Sequence, residues 1–218
     1  MTEPDVALTD YLLAIETALF CLLIWIGTPV GPLRLWSVAL FASLSLASLA
    51  GGTTHGFFLD ESSVGHRVLW PLTLISIGVT ALCLWVIAAE LVFDPQVARI
   101  LTVLAAAAFV AYTVAVLLLT SQFLIAIVAY LPAVLFLLGV LCVLWFRTRE
   151  RALLLGCAAI LMTLIASAIQ QIDLSIPAIP HANNVLYHLL EAVAFLLLFA
   201  ALSWISSQTS LPILSASP

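Results

Sequence analysis

An all-α membrane bundle of seven spanning helices, with its N-terminus outside, is the fold this sequence predicts. Three observations predict it. Of the 218 residues, 65% are hydrophobic and 8% charged, whereas a soluble domain of this length carries about 25% charged residues. The mean hydropathy is +1.27. Several apolar runs exceed the roughly 20 residues that a helix rising about 1.5 Å per residue needs to cross a bilayer.

The spans are marked off by charge, proline and glycine, and fall at 11–29, 34–57, 67–93, 97–118, 122–146, 151–172 and 184–206. The first follows MTEPDVALTD, which is acidic and lacks the positive n-region of a signal peptide, so the run is expected to remain as a span. Gly31-Pro32 opens the second, and the stretch GGTTHGFF closes it. The third follows Asp60-Glu61 and is long enough to cross with tilt. Asp94-Pro95 separates the third from the fourth, and a short polar patch, Thr120-Ser121-Gln122, separates the fourth from the fifth. The segment Arg147 to Arg151 precedes the sixth, and Pro177 to Pro180 precede the seventh. Residues 1–210 read as one transmembrane domain, with 207–218 as a short loose tail.

The arginines orient the bundle. Arg34, Arg99, Arg147, Arg149 and Arg151 fall on one side of a seven-span chain and Arg67 alone on the other. By the positive-inside rule the C-terminus is cytoplasmic, in a multi-pass protein of the cell's inner (plasma) membrane. Cys21, Cys83, Cys142 and Cys157 all lie inside apolar runs without CxxC spacing, which supports neither a disulfide framework nor a thiolate metal site. The net charge of −5 says little about partners, because most of the surface faces lipid. A glycine-rich phosphate loop and a basic patch are both missing, so nothing points to nucleotide, flavin or nucleic acid.

With this orientation the sparse polar groups gather on the outer side. His55 ends the second span and His66 follows it; Gln170, Gln171 and Asp173 end the sixth; His188 and Glu191 lie one to two turns into the seventh; Glu16 lies at a similar depth in the first. Glu90 is the exception, near the cytoplasmic end of the third span. Asn184, His188 and Glu191 are spaced four and three apart and share one helix face, beside Tyr187. Ser45, Ser48, Gly52 and His55 form a small and polar seam on the second helix, and Thr163, Ser167 and Gln170 another on the sixth. Small residues let helices approach closely, and ionisable groups in hydrocarbon turn inward. The expectation is a shared pocket just below the outer surface. Taken alone, Glu16 or His66 reads as a side chain reaching the interface, His181 as a loop or cap residue, and Asn183 or Asn184 as an N-cap.

Seven spans, a His late in the second (GGTTHGF) and a polar His motif opening the seventh (HANNVLYHLLE) resemble the CREST superfamily, which includes alkaline ceramidases and progestin/adipoQ receptors. The same motifs also resemble an uncharacterised bacterial branch near that superfamily. The resemblance implies a zinc site built from a second-span His, here His55, and an HxxxH pair in the last span, whose second member is His188. Asn184 stands at the first position of that pair, and Gly51 stands where the family has a Ser. It implies zinc-activated water attacking a lipid amide.

Three functions fit these residues. The first is a zinc-dependent hydrolase of a membrane lipid amide or ester. His55 and His188 are two of its ligands; His66, His181 or Glu191 is the third, and Glu16 or Glu191 the general base. The second is a non-catalytic, receptor-like protein that holds a lipid head group or small amphiphile through Asn184, Tyr187, Gln170 and His188. The third is haem b between His55 and His188.

Overall fold

The computed structural model describes residues 1–171 and 181–208. It contains seven helices: α1 (Pro4–Gly27), α2 (Pro32–Phe57), α3 (Val64–Val92), α4 (Pro95–Leu118), α5 (Phe123–Thr148), α6 (Arg151–Gln170) and α7 (Ala182–Ser207). All seven are long and apolar enough to cross a membrane, which makes this a multi-pass membrane protein. The expected spans coincide with them apart from their ends. The loose-tail reading and the Asp173 and Pro177–Pro180 separators lie outside the described residues, apart from Ser207 and Gln208.

The largest difference is at α1, which begins at Pro4 instead of residue 11. Proline suits the first helical turn, where its missing N–H has no partner to lose, and Asp5 in that turn complements the positive end of the helix dipole. The acidic start is therefore helix and part of the bundle. Local caps set other ends: Ser63 Oγ accepts from His66 N–H at the start of α3, and the Asp94 carboxylate accepts from the N–H groups of Gln96 and Val97 at the start of α4. Arg149, in the left-handed region, closes α5 and turns the chain into α6.

Packing closes six helices into a ring. α1 packs on α2 and α7, α2 on α3, α3 on α5, α5 on α6 and α6 on α7, with α2 also reaching α7. α4 leans on α3 from outside the ring. There the Tyr112 ring lies over Gly78, where a Cβ would collide with it, and the Tyr112 hydroxyl donates to the carbonyl of Leu74 (2.7 Å).

Cross-links show the helices alternating in direction. The N–H of Glu3 reaches the carbonyl of His55, at the finish of α2, and Asn183 Nδ2 donates to the carbonyl of Gln170 (3.2 Å), the last residue of α6. Ser37, near the start of α2, meets Ser206, near the finish of α7 (3.4 Å). One end of the bundle thus carries His55, His66, His181 and His188, and the opposite end carries Arg34, Arg99, Arg147, Arg149 and Arg151. Toward the arginine end the core is continuous and apolar, with Leu91, Leu137, Leu141, Leu144, Leu153, Leu202 and Ile205 fully buried. Cys142 and Cys157 face each other there as free thiols, Sγ to Sγ 3.5 Å.

Candidate functional site

At the histidine end the ring is hollow. A cavity of about 320 Å³ opens between α1, α2, α3, α6 and α7, with Phe123 of α5 at its edge. Asn184, Tyr187, His188 and Glu191 line it from α7, as the helical spacing of that stretch requires. His55 and Ser48 line it from α2 and Gln170 from α6. The expected meeting of His55, His188 and Glu191 around one pocket is therefore present. Three of the wall residues are ionisable and nearly inaccessible: Glu191 is 2% exposed, Asp10 6% and His188 7%.

Asp10 was not singled out by the sequence reading, and it is the partner of the central histidine. His188 Nε2 lies 3.4 Å from Asp10 Oδ1, and His188 Nδ1 lies 2.7 Å from Thr9 Oγ1. Thr9 Oγ1 also reaches the carbonyls of Val6 (2.9 Å) and Asp5 (3.2 Å), so the hydroxyl anchors the Nδ1 edge of the ring to the first turns of α1. Nε2 is thereby turned to the Asp10 carboxyl group. The signal for Asp10 was present in Glu3-Pro4-Asp5: proline followed by an acid marks a helix start and places Asp10 well inside the first span.

Close packing of α1 on α2 makes room for this pair. A Cβ on Gly52 would stand 2.7 Å from the Asp10 Cβ and 3.2 Å from the carbonyl oxygen of Ala7, so a glycine is required there. Gly51, one residue earlier, would place a Cβ at an ordinary 3.7–3.9 Å from Thr73 and the Asp10 carboxylate. The seam read from the second helix is thus the surface against which α1 lies; Ser45 Oγ also donates across it to the carbonyl of Ala14 (2.8 Å).

The seam on α6 serves the depth of the site. Thr163 Oγ1 donates to Glu191 Oε2 at a long 3.4 Å, and Ser167 bonds the Tyr130 hydroxyl at 2.7 Å.

A second polar network caps the rim. Glu3 Oε2 meets His55 Nδ1 at 2.6 Å and Glu3 Oε1 lies 3.4 Å from His181 Nε2, while His181 Nδ1 lies 3.4 Å from Asp5 Oδ1. It ties the start of α1 to the finish of α2 and the start of α7. His181 precedes α7 in the left-handed region (φ 51°) and lies outside the cavity wall, as does Glu16, one of whose carboxyl oxygens is buried with no hydrogen-bond partner among the described residues. His66 is turned away as well. Its Nδ1 meets the carbonyl of Phe58 (2.9 Å), and its ring stacks near Trp70 at the border of a larger hollow.

Zinc requires three protein donors converging on one point. His55 and His188 both reach the cavity, but Nδ1 of His55 faces Glu3 and the two ring nitrogens of His188 face Thr9 and Asp10. Among the described residues no group of three His, Cys, Asp or Glu is placed to hold a metal ion.

Residues 6–206 match the family model described as "Family of unknown function (DUF6962)". No curated protein and no solved structure matches the chain.

Proposed function

Because the chain belongs to that family, whose description assigns no activity, we propose from the site itself that the protein binds the polar end of a membrane amphiphile around His188. The observation that carries this reading is the burial of Asp10, His188 and Glu191 on the wall of one cavity. An ionisable side chain within a membrane costs several kcal/mol unless it faces a partner or a cavity, and such residues mark sites of function. The volume of about 320 Å³ suits a head group or small molecule. Asn184, Tyr187 and Gln170 supply neutral donors and acceptors, and Leu13, Leu44 and Phe195 supply apolar wall. The excess of arginine at the opposite end of the bundle supports a site on the non-cytoplasmic side.

The test is extraction. Wild-type protein in nanodiscs is expected to carry an amphiphile that matched preparations of His188→Ala and Asp10→Asn lack, all three being folded by circular dichroism. Equal lipid content in wild type and His188→Ala overturns the reading.

One contact favours a second reading, hydrolysis of a lipid ester or amide. The Asp10–His188 pair, oriented by Thr9, can accept a proton from water held in the cavity, the first requirement of general-base catalysis. Fatty-acid release from a fluorescent acyl lipid by wild type and not by His188→Gln supports it. Absence of release with intact binding removes it.

A further inference from the structure

Two more hollows adjoin the polar cavity. The wider, about 1040 Å³, lies between the α2–α3 and α4–α5 connections and shares His55, Trp70 and Phe123 with it. The deeper, about 100 Å³, is walled chiefly by side chains such as Leu40, Leu84, Val134, Ile160 and Leu198. It shares Tyr187, Glu191 and Phe195 with the polar cavity. Phe123, at the start of α5, borders all three. The three share walls and lie in succession from the histidine end toward the apolar middle of the ring.

The charge on the wall of the central cavity is one-sided. The central cavity has two carboxyl groups, Asp10 and Glu191, and no arginine on its described wall, and the chain contains no lysine. Among the described residues the only basic neighbour of Asp10 is His188, and the only side-chain bond of Glu191 is the long one from Thr163. Trp70, Phe123, Tyr187 and Phe195 complete the wall with aromatic rings. Carboxylates with aromatic faces are the chemistry that holds an organic cation: the charge is met by the acids, and the ring quadrupoles attract its ammonium group. Within the central cavity an anionic head group meets two acids and no arginine, and pays desolvation without that partner.

We propose that the cavity takes an organic amine as its ammonium ion, held by Asp10 and Glu191 among the aromatic rings, with an alkyl substituent reaching into the deeper hollow. This rests on the reading of the cavity as an amphiphile site and adds the ligand's class.

The probes are octylamine, octanol, octanoate and butylamine, titrated against wild-type protein in nanodiscs and followed by thermal unfolding. Octylamine is expected to raise the unfolding temperature saturably, with octanol and octanoate at least tenfold weaker and butylamine weaker than octylamine. Glu191→Gln and Asp10→Asn, which keep size and hydrogen bonding, are expected to weaken octylamine at least tenfold. Glu90→Gln, at the arginine end, should leave it unchanged. If octanol binds as tightly as octylamine and both are lost in His188→Ala, the amphiphile site stands and the ammonium assignment is overturned. Equal binding of butylamine and octylamine overturns the placing of the alkyl chain. If no probe shifts the wild type, the ammonium assignment fails, and extraction then decides separately whether the amphiphile site survives.

Discussion

The two ends of this bundle are built from the same helices and differ in what they enclose. At the arginine end the charges stay at the rim: Arg34 lies over the Trp25 ring (4.4 Å) and Arg149 over Trp145 (5.0 Å), while Leu141, Leu144, Leu202 and Ile205 fill the interior. At the histidine end ionisable side chains go inside, and a cavity remains around Asp10, His188 and Glu191. One end is closed by packing and the other is held by directed polar contacts. Packing in a membrane gains little from transfer, because lipid is as apolar as leucine, so close fit carries the stability. A polar interior is kept where function needs it.

That contrast can be broken in order of expected size. Leu141→Ala, in the sealed half, is expected to lower stability most. Truncations of buried leucine cost about 2–5 kcal/mol in soluble cores, and the lower half of that range applies where the unfolded reference is lipid. Thermal unfolding in detergent measures it, and amphiphile content should be unchanged in the folded fraction. A loss of amphiphile there would mean that the two ends are coupled.

Next is the seam between α1 and α2. Gly52→Ala forces a Cβ to within 2.7 Å of the Asp10 Cβ, so one helix must move; overpacking of this kind costs about 1–3 kcal/mol. Gly51→Ala meets only ordinary contacts and is expected to be near neutral in unfolding temperature. If the two variants unfold alike, the close approach of α1 does not hold the site.

His188→Ala is expected to abolish ligand binding while the protein still inserts and folds. His181→Ala, whose contacts lie in the rim network with Glu3 and Asp5, should do much less. The reverse pattern in a binding assay would move the functional centre from the cavity to the rim.

The smallest effect concerns the α2–α3 turn. Two hydrogen bonds from Ser62, from its N–H and its hydroxyl, hold the Asp60 carboxyl below the usual carboxylate range. A depressed value stabilises the turn above the unfolded pKa and is lost as pH falls through the folded one. Acidification should therefore loosen this turn, measurable by amide exchange at Ser62. In Asp60→Asn the pH dependence of the Ser62 protection factor should vanish, and its persistence would refute the assignment.

Much was legible in the chain alone because it is local. Hydropathy marks a spanning helix by its own residues, and the spacing of Asn184, His188 and Glu191 fixes their common face whatever α7 packs against. What His188 would meet was not legible. Asp10 belongs to an acidic start that precedes the expected first span, and nothing in the sequence around Glu16 tells that it stands off the cavity wall. Pairing across α1 and α7 joins residues at opposite ends of the chain, and only the closing of the ring brings them together. Sequence by itself determined the seven helices and the polar face of the last. The tertiary structure decided which acid meets the histidine, because helix rotation and close approach at Gly52 depend on every neighbour at once.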